Sequence, residues 1–208
     1  MELAVVDKNG KATSKKVKLN DAVFAVEPNE HAIYLDVKQY LANQRQGTHS
    51  ARERSEVRGS TRKIRKQKGS GGARFGDIKN PLFRGGGRVF GPRPKEYGFK
   101  LNRKLKQAAR RSALSLMASE KAITVVEDLK FDAAKTKDYV QFLDNLKLSD
   151  KKTLLVLNEQ DKNLYLSSRN LKGAKVVTVS ELNTYGILNA TNLLLSESSI
   201  ATIEKSLS

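Results

Sequence analysis

The chain has 208 residues, with 39 Lys and Arg against 22 Asp and Glu, a formal net charge of +17, a sequence pI near 10.0 and no cysteine. The lack of cysteine excludes disulfides, thiolate metal sites and cysteine nucleophiles, and fits a cytoplasmic protein. No apolar run approaches the roughly 18 to 20 residues of a membrane-spanning helix, so no membrane partner is expected; Met1-Glu2-Leu3-Ala4-Val5-Val6-Asp7 lacks the basic and apolar regions of a signal peptide, so export is not expected either.

In chain order, Leu3 to Val6 reads as a first strand. Asn29 caps a helix running to about Asn43, with Ile33, Val37, Tyr40 and Leu41 facing inward. The composition then changes abruptly. Residues 45 to 111 hold 21 Lys and Arg against 4 Asp and Glu, a net of +17, so the rest of the chain is neutral. The same stretch holds 11 of the 14 glycines and 3 of the 4 prolines, a composition that resists helix and sheet interiors and needs a polyanion to order it. Clustered rather than scattered cations are the footprint of a nucleic-acid binder.

Within the stretch, glycine, arginine and an aromatic recur together, as in Gly72-Ala73-Arg74-Phe75-Gly76, Leu82-Phe83-Arg84-Gly85-Gly86-Gly87-Arg88-Val89-Phe90-Gly91 and Pro94-Lys95-Glu96-Tyr97-Gly98-Phe99-Lys100. Cations serve phosphates. Phe75, Phe83, Phe90, Tyr97 and Phe99 either stack on unpaired bases or form a local cluster that stiffens the extension. About 50 residues in a two-stranded excursion reach at most roughly 80 Å at ~3.3 Å per residue. The candidate RNA-binding side chains are Arg45, Gln46, Thr48, Arg52, Arg54, Arg58, Arg62, Lys63, Arg65, Lys66, Lys68, Arg74, Lys79, Arg84, Arg88, Arg93, Lys95 and Lys100, continuing into the next helix with Arg103, Lys104, Lys106 and Arg110.

That helix is predicted over Asn102 to Ser119, with Leu105, Ala108, Ala109, Leu116 and Met117 inward. Its solvent face, including Arg111, has no Glu at i+4 to balance it, so RNA contact is favoured. Strand and helix signals then alternate: Ala122 to Val126 (strand), Lys135 to Lys147 (helix, with Tyr139, Phe142, Leu143 and Leu146 on one face), Thr153 to Leu157 (strand), Asp161 to Leu171 (helix), Ala174 to Val179 and Asn192 to Leu195 (strands), and a closing helix from Ser196 to Leu207. This order argues an α/β fold, a mainly parallel sheet with helices on both faces. Residues 1–44 and 101–208 form this single Rossmann-like body, and 45–100 is an extended loop inserted into it.

Catalytic and cofactor chemistry finds no support. Gly69-Ser70-Gly71-Gly72-Ala73-Arg74 lacks the third glycine of a dinucleotide fingerprint and follows no strand, while Gly71 to Gly76 leads into Asp77-Ile78 where a P-loop needs Lys and Ser or Thr. His31 lies on a helix surface and His49 in the basic run. Glu53 and Glu56, flanked by Arg52, Arg54 and Arg58, balance local charge better than they bind metal. No enzyme, cofactor or metal is expected. A DNA-binding architectural protein would also explain the charge, but no dimer interface or major-groove helix accompanies it.

Arg45-Gln46-Gly47-Thr48, Glu56-Val57-Arg58-Gly59, Lys66-Gln67-Lys68-Gly69-Ser70-Gly71, Gly85-Gly86-Gly87-Arg88-Val89-Phe90-Gly91-Pro92-Arg93-Pro94, Leu101-Asn102-Arg103-Lys104 and Asn163-Leu164-Tyr165-Leu166-Ser167-Ser168-Arg169-Asn170-Leu171 together closely resemble the large-subunit ribosomal protein L four family, bacterial type. The resemblance covers the whole length. It implies binding to large-subunit rRNA early in assembly, neighbouring large-subunit ribosomal proteins as partners, and a loop tip that meets the nascent peptide in the exit tunnel. It also implies a tip at about Arg65 to Arg74, where Lys66, Gln67, Lys68 and Gly69 match the family motif. Gly72 and Arg65 depart from the family pattern, which usually has arginine at the first position and often an aromatic at the second; Arg74 closes the tip.

Overall fold

In the computed structural model, which describes residues 1–207, the chain divides into two units: Met1–Leu41 with the chain from Lys100 onward, and Ala42–Phe99. The first is built on strands β1 (Glu2–Val6), β2 (Ala12–Lys18), β3 (Ile123–Val126), β4 (Thr153–Leu157), β5 (Ala174–Thr178) and β6 (Asn192–Ser196), and helices α1 (Asp21–Phe24), α2 (Glu30–Asn43), α3 (Arg103–Ser119), α4 (Thr136–Asn145), α5 (Lys162–Ser168), α6 (Thr184–Asn189) and α7 (Glu197–Leu207). The strands form one sheet in the order β2-β1-β3-β6-β4-β5. Only β1 with β2 is antiparallel.

The apolar runs explain the layering, because successive strand residues point to opposite faces. Leu154 and Val156 of β4 and Leu193 and Leu195 of β6 enter one core with Leu114 and Met117 of α3, Ile187 of α6 and Ile200 and Ile203 of α7. Leu155 and Leu157 of β4 and Leu194 of β6 enter the other, with Tyr139, Phe142 and Leu143 of α4 and Leu164 of α5. Both faces are therefore covered, as the βαβα order predicts.

Local chemistry sets the boundaries. Asn29 Oδ1 accepts from Ala32 N at 2.9 Å, starting α2 as expected. Asp161 Oδ1 accepts from Asn163 N at 2.8 Å and Leu164 N at 3.3 Å, so Asp161 caps α5 rather than lying inside it. Lys147 at φ 57 stops the helix that was expected to reach it. Leu41, expected inward, is 44% exposed, and the residues α2 buries are Ala32 and Gln39.

Candidate nucleic-acid interface

Residues 45–102 form neither helix nor strand. Backbone hydrogen bonds instead join the two limbs of the excursion in antiparallel sense: Lys95 N to Gly47 O at 3.1 Å, Ala51 N to Pro92 O at 2.8 Å, Arg88 N to Arg52 O at 2.9 Å and Ile64 N to Gly76 O at 3.1 Å. The pairing is sparse because glycine and proline interrupt any ladder. It makes a two-limbed arm whose turn lies between residues 64 and 76.

Within it, Arg45, Gln46, Thr48, Arg52, Arg54, Arg58, Arg62, Lys63, Arg65, Lys66, Lys68, Arg74, Arg84, Arg88, Arg93 and Lys95 are all exposed, and Lys79 is half-buried. In the body, Lys100, Arg103 and Lys104 are exposed, but Lys106, Arg110 and Arg111 are half-buried. The open basic face expected along the first half of α3 is thus limited to its start. Arg110 Nε is closed off from solvent without a hydrogen-bond partner.

Most arm cations have nothing to neutralise them. The ion pairs among the described arm residues are Arg93 with Glu53, and Arg54 with Asp77 at 3.5 Å. The Glu53 carboxylate, by hydrogen bond and then by charge, raises the Arg93 pKa further. Glu53 thus balances local charge as expected, whereas Glu56 accepts from the Glu53 backbone N at 3.0 Å and forms no ion pair among the described residues. The Asp77 partnership was not visible in sequence, since 23 positions separate it from Arg54.

The rings do two different things. Tyr97 is a local clamp: the Arg45 guanidinium lies 3.5 Å from its ring centroid, Lys95 Nζ lies 5.1 Å away, and His49 Nε2 lies 3.4 Å from its hydroxyl. Phe75 packs on Phe83 at 5.5 Å and receives Arg65 at 5.1 Å. Phe90 is 98% exposed and presents both faces to solvent. At the tip, Lys63 Nζ donates to Gln67 Oε1, and Lys66, Lys68, Gly69, Gly72 and Arg74 are exposed.

The body contains a cavity of about 720 Å³ beyond the carboxyl ends of β3, β4 and β6, the place where open α/β sheets hold ligands. Asp128, Asp132, Glu159 and Asp161 are in its wall, with Lys130 and Lys162 as its cations. Carboxylates there oppose a nucleotide phosphate, in keeping with the failed glycine motifs. The described residues contain no cluster of three potential metal ligands and no helix long and apolar enough to cross a membrane.

A sequence model of the Ribosomal protein L4/L1 family matches residues 17–206. The chain is 61% identical over 208 residues to the large ribosomal subunit protein uL4 of Christiangramia forsetii and 62% identical to that of Flavobacterium johnsoniae, covering the whole of both. It is 61% identical over 205 residues to that of Parabacteroides distasonis, covering 98% of that protein.

Proposed function

The chain belongs to the ribosomal protein L4/L1 family, and from that membership we infer that it is a structural constituent of the large ribosomal subunit, binding large-subunit rRNA early in assembly through the arm of residues 45–100 while the arm's tip lines the peptide exit tunnel. The observation that carries this reading is the arm itself. It gathers 16 Lys and Arg against 4 Asp and Glu, +12 of the chain's +17, in an extended, glycine-rich segment and leaves those cations mostly exposed and unpaired.

Its action is electrostatic and steric. Lysine and arginine neutralise phosphates and release counterions, while the narrow two-limbed form lets cations enter where a rounded domain would clash. The body carries the remaining +5, from Arg103, Lys104, Lys106, Arg110 and Arg111 of α3, and is otherwise neutral, so it does not repel RNA. Neighbouring ribosomal proteins are the further partners, and the nascent peptide is the partner of the tip.

Site-specific crosslinking tests the tip. A photoreactive group at Lys68 is expected to capture a stalled nascent chain in intact ribosomes. Capture from a group on the body, such as Lys151, with none from Lys68, would contradict the tunnel assignment. Failure of the chain to sediment with large subunits would contradict the function as a whole.

A further inference from the structure

The arm contains a cavity of about 460 Å³ whose wall includes Arg54, Asp77, Lys79, Pro81, Arg88 and Val89. That volume lies within the range of small-molecule sites. Its frame is tied together by the backbone: Gly87 N donates to Lys79 O at 2.9 Å and Arg88 N to Arg52 O at 2.9 Å. Gly87 is buried, and a Cβ there would fall 2.3 Å from Arg54 N, so only glycine lets the two limbs approach this closely. The cup is held in shape before any ligand arrives.

Its charges are unevenly satisfied. Glu53, also in the wall, is held by Arg93. Asp77 is not held in that way. Its side chain is only 12% exposed, and Oδ1 is closed off from solvent and accepts no hydrogen bond; Arg54 Nε at 3.5 Å is a charge neighbour without hydrogen-bond geometry. A mostly buried carboxylate with unspent acceptors is costly unless donors reach it. Arg54 is its cover, with a guanidinium that lies over Gly76, 3.2 Å from where a Cβ would stand. That side chain is 54% exposed and is free to turn outward.

A phosphate offers Arg54 a better, bidentate partner than this misaligned carboxylate. Lys79 and Arg88 stand in the same wall to share the anion. Once Arg54 turns to phosphate, Asp77 is uncovered and faces whatever base follows. A carboxylate can accept two parallel N–H donors, and among the four bases only guanine sets two side by side, N1–H and N2–H, on its Watson–Crick edge. Adenine and cytosine pair one amino group with a ring acceptor, and uracil flanks its imino group with two carbonyls; each would bring lone pairs against the carboxylate. Pro81 and Val89 give the wall apolar surface for a sugar or base face.

We propose that this cup receives one unpaired guanine nucleotide of the bound RNA, with Arg54, Lys79 and Arg88 on its phosphates and Asp77 on its Watson–Crick edge. The proposal rests on the rRNA-binding function above. Kethoxal, which modifies the N1 and N2 positions of unpaired guanines, probes that edge directly on large-subunit rRNA bound to the full chain. The wild-type complex is expected to protect at least one unpaired guanine, and Asp77→Ala to return that guanine to its reactivity in naked RNA while other protections persist and affinity falls roughly tenfold. Asp77→Asn, which keeps the shape but only one acceptor, is expected to give partial protection. Arg54→Gln, which removes the ion pair and keeps the carboxylate, is expected to retain the guanine protection at lower affinity. Guanine protection unchanged by Asp77→Ala, or lost equally in Arg54→Gln, would overturn the proposal, as would loss of all protections together in Asp77→Ala. No footprint from the wild-type chain would instead overturn the rRNA function itself.

Discussion

Tyr139 is fully buried on α4 with its hydroxyl unpartnered, while Phe142 meets its ring at 5.8 Å and Phe131 at 6.4 Å. Burial pushes its phenol well above the ordinary range near 10. A hydroxyl buried without a hydrogen bond opposes folding by about 1–3 kcal/mol. Tyr139→Phe is therefore expected to be neutral or up to about 2 kcal/mol more stable in denaturant titrations at pH 7, in contrast to most core substitutions. The pH dependence has a fixed sign. Between the unfolded and folded pKa values the native state binds more protons, so wild-type stability falls relative to the variant as pH rises above about 10. A gap that stayed constant with pH would refute the burial account. At the turn of the arm, Gly72 and Arg65 meet: a Cβ on Gly72 would lie 2.6 Å from Arg65 Nη1, and that guanidinium also faces Phe75. The missing side chain on one limb leaves room for the cation on the other.

Elements differ in how plainly sequence declares them, and the β1–β2 hairpin shows why. Asp7-Lys8-Asn9-Gly10 turns the chain, with Gly10 at φ 77 and its N–H donating to Asp7 O at 2.9 Å. A Cβ on Gly10 would fall 2.3 Å from Asn145 O at the end of α4. Gly10→Ala is expected to cost about 1–3 kcal/mol from the strained backbone alone, more if α4 shifts; a change under 0.5 kcal/mol in thermal or denaturant unfolding would contradict this. Asn-Gly was the available signal for the hairpin, yet β2 went unread because Ala-Thr-Ser-Lys-Lys-Val-Lys lacks an apolar alternation. It is an edge strand with no fully buried residue, only Thr13 and Val17 being partly covered, and its lysines guard the open edge. The four-residue α1 and the six-residue α6, with a glycine inside it, were too short for helical periodicity to register. By contrast β3, β4, β5 and β6 were legible because burial on both faces demands continuous apolar runs. In the arm, composition revealed the charge, but the limb pairing and the Arg54–Asp77 neighbourhood arise from contacts distant in sequence and carry no period.

For the molecule as a whole, the cores and the cations are assigned to different stretches of chain. Every residue of both core clusters lies outside 42–99. Deleting residues 52–95 is therefore expected to leave one cooperative unfolding transition with little change in midpoint, while removing most rRNA affinity. Loss of cooperativity in the deletion would show that the body depends on the arm. The central claim is that the arm clamps RNA phosphates, and the salt dependence of affinity for large-subunit rRNA tests it most directly. If about ten cations neutralise phosphates, log affinity falls against log salt with a slope of roughly −7 to −9, and the arm deletion flattens it. A slope near −2 for the intact chain, or an equal slope in the deletion, would contradict the account.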